Sequence, residues 1–174
     1  MTAPGLAIIV MGVAGVGKST FGAALAAELG VPFIEGDTLH PPENVRRMAA
    51  GTPLQDTDRW PWLRALGGEI AACRQPRGVV ASCSALKRSY RDRLRETIGA
   101  PLLFVCLVAE RERLAARLLE RKGHYMPAAL LDSQLQAFEL PAADEEVVIL
   151  DADRSVENML ASLRPQLHMQ RLRR

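Results

Sequence analysis

The sequence predicts a three-layer α/β domain in which five parallel strands carry helices on both faces. Three observations lead there. Short apolar runs alternate with helix-forming segments along the chain, the pattern of strand–helix–strand crossovers. A glycine-rich loop stands at the first strand–helix junction, and polar residues close several of the apolar runs, at the sheet edge where open α/β folds bind ligands.

Leu6–Val10 reads as a buried first strand, and the Ala- and Leu-rich Thr20–Leu29 as the first helix, with Gly30 as its C-cap. Val31–Glu35 reads as a second strand ending at Gly36-Asp37. Pro42–Ala50 is expected to be helical, with proline in the first turn and Gly51 beyond the end. Asp58 is placed as N-cap of a helix from Arg59 to about Cys73, whose Trp62, Leu66 and Ile70 recur on one face. Gly78–Cys83 is a third strand running into Ser84-Ala85-Leu86-Lys87, followed by a basic helix, Arg88–Glu96. Pro101–Val108 is the fourth strand, and Glu110 to about Arg121 a charge-laced helix. Gly123–Pro127 breaks that helix before a shorter one, Ala128–Phe138. Glu145–Asp151 is the fifth strand, and Ser155 caps a last helix limited by Pro165.

The loop between the first strand and first helix carries the chemistry. Gly12, Gly17, Lys18 and Ser19 fill G-x-x-x-x-G-K-[ST], a P-loop, in the strand–loop–helix context that this motif requires. Gly12, Gly15 and Gly17 let the backbone curl, so that N–H groups along Val13, Ala14, Gly15, Val16 and Thr20 and the helix N-terminus converge on phosphate oxygens. Lys18 is expected to bridge the β- and γ-phosphates, and Ser19 to place its hydroxyl on Mg²⁺. The fold is therefore a P-loop NTPase-type domain that takes a phosphate-bearing nucleotide together with Mg²⁺.

The 174 residues suffice for one domain with a sizeable core, spanning 1–174. The composition, 48% hydrophobic and 24% charged, is that of an ordinary globular enzyme. A net charge of +2 is too small to argue for nucleic acid, and the basic Arg171, Arg173 and Arg174 read as a solvated helix end. Cys73, Cys83 and Cys106 lack disulfide or zinc spacing, which fits a reducing cytoplasm. The first apolar run is too short to cross a bilayer, and no targeting segment is expected. Oligomeric state is left open, a homodimer included.

A guanine-nucleotide switch protein is expected to carry an acidic-then-glycine switch and an N-K-x-D segment, and neither is present. The third strand ends in Ser82-Cys83-Ser84 instead of the acidic residue many P-loop ATPases use for Mg²⁺, which moves the metal-side carboxylate to Asp37 by elimination. That pattern suits a small-molecule kinase.

Gly36-Asp37-Thr38-Leu39-His40-Pro41, with Asn44, Met48, Gly51, Pro53-Leu54, Asp56, Asp58-Arg59 and Trp62-Leu63, resembles the substrate segment of the gluconokinase family. Cys83-Ser84-Ala85-Leu86-Lys87, with Tyr90-Arg91-Asp92 and Leu94-Arg95, is similar to that family's second signature. Arg121-Lys122-Gly123-His124-Tyr125-Met126, with Leu130-Leu131, Ser133-Gln134 and Glu139, is similar to its lid. Departures are few: Ala137 and Leu140 stand where Thr and Pro are expected, and Arg47 where Lys is common. The resemblance implies a shikimate-kinase-like fold, an acceptor segment at about 36–75, a mobile lid at about 121–139, and phosphorylation of D-gluconate.

Asp37 is expected to orient or deprotonate the acceptor hydroxyl and to hold Mg²⁺ through water. Arg47, Arg59, Lys87 and Arg91 are candidates to surround the carboxylate and polyol, and the resemblance raises Arg59, Lys87 and Arg91 most. His40 and Ser84 are candidate polar partners along the substrate. Arg117 and Arg121, one helical turn apart, are expected to close on the β/γ-phosphates with the lid. Solvated surface charges remain the alternative for each arginine taken alone. Two rival functions stay open: a kinase for another small acid or a nucleoside monophosphate, and a nucleotide-binding regulator without turnover.

Overall fold

The computed structural model describes residues 5–74, 76–99, 101–120 and 128–172. Its centre is a five-stranded sheet in the order β2-β3-β1-β4-β5, formed by β1 (Ala7–Met11), β2 (Phe33–Glu35), β3 (Val79–Ser82), β4 (Leu102–Val108) and β5 (Val148–Asp151). Every pairing is parallel. β1 is buried throughout and lies between β3 and β4, so it reads as a continuous apolar run with no alternation.

Among the described residues, seven helices connect and cover the strands: α1 (Lys18–Leu29), α2 (Pro42–Ala49), α3 (Asp56–Cys73), α4 (Arg88–Ile98), α5 (Arg111–Glu120), α6 (Ala128–Ala137) and α7 (Val156–Leu172). The path from β1 to β2 runs toward one edge of the sheet, whereas those from β2 to β3, β4 and β5 run back toward the other. Right-handed crossovers therefore place α1 on one face and α3 and α4 on the opposite face. α7 returns to the α1 face, where Arg164 makes a two-pronged pair with Glu28. The three layers predicted from the strand–helix alternation are present.

The element boundaries differ from the sequence expectation at two informative places. α3 begins at Asp56, before Asp58, with Gln55 as N-cap; Asp58 sits three residues in, and its carboxylate accepts the Gln55 backbone N–H at 2.9 Å in a capping box. The last helix does not stop near Pro165 but continues to Leu172 with Pro165 inside it. Leu163 and Leu167, on either side of the proline, are both buried. Their burial outweighs the hydrogen bond that proline cannot donate. Ser155 does cap this helix, its hydroxyl accepting the Asn158 N–H at 3.2 Å.

Candidate active site

The P-loop runs from the end of β1 into α1, and three contacts shape it. The Gly12 N–H donates to the Ser84 carbonyl at 3.2 Å, tying the loop to the segment after β3. Lys18 folds back so that its ammonium donates to the Val13 carbonyl at 3.0 Å. The Ala14 N–H donates to Oε1 of Gln134, on α6, at 2.7 Å. Ser19 and Thr20 lie in the first turn of α1, at least partly open to solvent. Val13 and Val16 are buried and anchor the loop's other side.

Beside the loop, a tight helical turn over Gly36–Leu39 follows β2 and exposes Asp37. Gly36 is required there by close approach: a Cβ would lie 2.0 Å from the Ser82 carbonyl oxygen. The Ser82 hydroxyl accepts the Gly36 N–H at 3.1 Å and donates a short hydrogen bond to Glu35. Trp62 of α3 donates its indole N–H to the Gly36 carbonyl at 2.8 Å. The turn is thus held from β3 and from α3, and its aspartate is left outside.

His40 follows the turn, stacked on Trp62 with ring centroids 4.0 Å apart. Burial pulls its pKa down to about 4; the Asp37 carboxylate acts against that and Arg59 adds to it. His40 is therefore a neutral ring at pH 7. Asn44 faces it at 3.4 Å and donates to the Asp58 carbonyl at 2.7 Å. Cys83, fully buried beneath the site, has its thiol pushed up to about 12 by burial, and the charges of Asp37, Lys18 and Arg59 all act on it.

The cationic side of the site is a linked set. Arg59 and Lys87 each lie 5.7 Å from the Tyr90 ring centroid. Lys87 pairs with Asp56 at 2.8 Å, and the Tyr90 hydroxyl donates to the same carboxylate oxygen at 2.5 Å. The bonds from Lys87 and then Tyr90 hold Asp56 below the usual carboxylate range, while burial and the Asp56 bond push the Tyr90 phenol upward. Arg47 pairs with Asp58 at 2.6 Å on the outer side of the group.

A family model described as an AAA domain matches residues 8–141. A probable gluconokinase from Schizosaccharomyces pombe is 48% identical over 156 residues, covering 86% of this chain and 79% of that protein. A gluconokinase from Gluconobacter oxydans is 45% identical, covering 90% of this chain and 88% of its own. The chain belongs to the gluconokinase family. A crystal structure of a gluconokinase from Sinorhizobium meliloti superposes with a TM-score of 0.82 at 48% identity, covering 96% of this chain and 97% of that one.

Set in this gluconokinase framework, the predicted residues do not all lie together. Lys18, Ser19, Asp37, His40, Arg59, Ser84 and Lys87 lie on the strand-end side, on the P-loop, the Gly36 turn, the start of α3 and the segment after β3. The Ser84 hydroxyl has no partner among the described residues and keeps access to solvent. Arg47 lies further out on α2, reaching the set through Asp58.

Arg91 must be corrected. Its side chain is 0% exposed. Nε and Nη2 grip Glu145 at 2.6 and 2.7 Å, and Nη1 donates to the carbonyls of Ala85, Leu86 and Glu139. A guanidinium buried and engaged in this way is closed off from a sugar acid, so Arg91 is an internal strut. It holds the Glu145 carboxyl down at about 2.

Arg117 donates to the Ala152 carbonyl at 2.8 Å and pairs with Asp153 at 3.3 Å, at the turn after β5. Both bonds are made by Nη2, which tethers the guanidinium to that turn. Arg121, His124 and the first part of the lid expected at about 121–139, residues 121–127, lie outside the described residues; its remainder contains α6.

Several participants become visible only in three dimensions. Glu35 ends β2, so the strand-end argument that singles out Asp37 applies equally to it, and the Ser82 hydroxyl fixes its orientation. Asp56 organises Lys87 and Tyr90. Gln134 reaches the P-loop from a distant helix, which no local pattern reveals.

Proposed function

We propose that this protein transfers the γ-phosphate of ATP to the 6-hydroxyl of D-gluconate, giving 6-phosphogluconate and ADP. The observation that carries the reading is that the end of β3 and the segment after it tie the P-loop, through the Gly12–Ser84 hydrogen bond, to the turn that exposes Asp37, through the Gly36–Ser82 one, with Arg59 and Lys87 both set against the Tyr90 ring. Membership of the gluconokinase family supports the acceptor.

In this reading the Gly12 and Ala14 N–H groups, bonded to Ser84 and Gln134, are not available to phosphate, which departs from the sequence expectation for Ala14. The remaining P-loop N–H groups and the N-terminus of α1 hold the inner phosphates, and Lys18 leaves the Val13 carbonyl to offset charge on the β- and γ-phosphates. Arg59 and Lys87 bind the gluconate carboxylate, Arg47 adds positive charge at the rim, and His40 and Ser84 meet hydroxyls along the chain. A neutral His40 can either donate or accept such a bond, as its tautomer dictates. Asp37 orients the terminal hydroxyl and receives its proton. The hydroxyl oxygen bonds to the γ-phosphorus as the bond from phosphorus to the bridging oxygen breaks, and ADP departs with that electron pair. Arg117 and Arg121 add positive charge as the lid closes.

Mg²⁺ neutralises the phosphates when bound. The Ser19 hydroxyl and, through water, the Asp37 carboxylate would hold it, with Glu35 as a further carboxylate nearby in the chain. An all-oxygen set with few protein ligands suits a cation that keeps its waters and leans on substrate phosphates. A small-molecule acceptor, no nucleic-acid partner and a cytoplasmic setting belong to the same reading. No described helix is long and apolar enough to cross a membrane, and the three cysteines are free thiols.

A coupled ADP-release assay over gluconate, glucose, shikimate and AMP tests it. Gluconate should have the highest kcat/KM, because a neutral sugar offers no carboxylate to Arg59 and Lys87. Preference for any of the other three overturns the acceptor, and absence of ATP consumption with all four overturns the kinase.

A further inference from the structure

The P-loop is touched from outside by both helices that flank residues 121–127. On the α5 side, a Cβ at Gly15 would lie 3.0 Å from Leu118 and 3.4 Å from the Leu114 carbonyl oxygen, so that helix rests on the loop's crown. On the α6 side the contact is polar and specific: the Ala14 N–H meets Gln134 at 2.7 Å. Since a backbone N–H can only donate, the atom facing it is the carboxamide oxygen. That assigns the orientation of the amide and leaves the Nε2 group, with two donor hydrogens, pointing elsewhere. Nε2 takes no partner among the described residues and is not sealed from solvent.

The side chain is placed by a helix that is itself held at both ends. Leu130 and Leu131 are buried at its start. Beyond its end, the Glu139 N–H donates to the Leu86 carbonyl at 2.8 Å and the Glu139 carboxylate accepts the Arg88 N–H at 2.7 Å. The residue it reaches, Ala14, is next in sequence to the one on which the P-loop lysine rests. Lys18, whose chemistry serves the β- and γ-phosphates, rests its ammonium on the carbonyl of Val13, the residue before Ala14.

We propose that Gln134 is a binding residue for the terminal phosphate of ATP. Its carbonyl is fixed by the Ala14 N–H, and its free Nε2 donates to a γ-phosphoryl oxygen. The inference rests on the ATP-dependent reading above and adds a residue that tells ATP from ADP. A glutamine is suited to both tasks at once. Glutamate would accept the Ala14 N–H equally well but would bring a negative charge against the phosphate, and leucine would do neither.

The test is titration of the full-length protein with MgADP and with a non-hydrolysable MgATP analogue, without acceptor, for wild type, Gln134→Glu and Gln134→Leu. The ratio of the ADP to the analogue dissociation constant should fall about ten-fold or more in both variants, the size expected for losing one hydrogen bond to a charged group, with ADP affinity unchanged. A purely structural tie predicts instead that Gln134→Glu keeps the wild-type ratio. That result, or equal losses for ADP and analogue, overturns the assignment. If Gln134→Leu does not fold, Gln134→Glu decides alone. Wild-type protein that binds neither nucleotide overturns the kinase reading itself, whereas a wrong acceptor leaves this measurement intact.

Discussion

Trp62 is bonded to the Gly36 carbonyl and stacked on His40 at the same time, at 2.8 Å through its indole nitrogen and 4.0 Å between ring centroids. One buried side chain of α3 therefore fixes both ends of the turn that presents Asp37. The neutral state of His40 is part of that packing, because a charged ring there would lose its water shell.

His40 should accordingly make stability depend on mildly acidic pH. Its folded-state pKa is about 4, against an ordinary 6.5. Between those values the unfolded chain binds a proton that the folded chain does not, so stability is present above pH 6.5 and is lost as pH falls toward 4. A shift of this size corresponds to about 3 kcal/mol over the full window. Urea unfolding of wild type and His40→Asn at pH 7 and pH 5 should show a smaller pH effect in the variant. Equal pH effects would remove His40 from the account.

Arg91 should matter for stability and not for gluconate. Removing either partner of a buried pair leaves a charge without compensation, at a cost of about 3–5 kcal/mol. Glu145→Gln and Arg91→Leu should both lower the urea midpoint, while KM for gluconate, measured where the protein is folded, stays near wild type. A large rise in KM with unchanged stability would return Arg91 to the acceptor site.

Lys18 packs nothing in the core, so Lys18→Ala should fold normally. Turnover should fall about 10²–10³-fold, the usual cost of losing one preorganised electrostatic contact at a transferring phosphate. Near-normal turnover in a folded variant contradicts the proposed chemistry of the P-loop.

Asp37→Asn keeps the shape of an exposed turn residue and removes its carboxylate. Turnover should drop far more than ATP affinity, since the side chain is assigned to the acceptor hydroxyl and only indirectly to the metal. The decisive comparison is single-turnover rate against nucleotide dissociation constant; parallel losses would show that the residue serves nucleotide binding instead.

What could be read in the sequence was what depends on short spacing. The P-loop is such a case, since Gly12, Gly17, Lys18 and Ser19 need only a strand before them and a helix after. The strand alternation is another, because burial of β1 on both faces produces an unbroken apolar run. Arg91 was misread for the opposite reason. An arginine in a motif rich in polar residues looks available until its partner is seen, and Glu145 lies far along the chain, beside a turn over Ala143–Glu145 that replaces the expected start of β5. Pro165 misled because its local preference is real but weaker than the burial around it. Asp58 was recognised as a capping residue but placed at the wrong position, since a capping box puts its acid three residues after the cap.

The order of the sheet also bears on how the protein is made. β1, whose end carries the nucleotide loop, finds its partners at Val79–Ser82 on one side and Leu102–Cys106 on the other. A nascent chain that has emerged only through α3 holds a fully apolar strand with neither neighbour. Pairings that span so much sequence form late and slowly. Nucleotide cannot rescue such a partial chain, because the loop it would grip is tied to Ser84 and packed under α5. During synthesis, then, the segment that will bind ATP is the one most exposed to misassociation, and shielding by chaperones should matter most until β4 has left the ribosome.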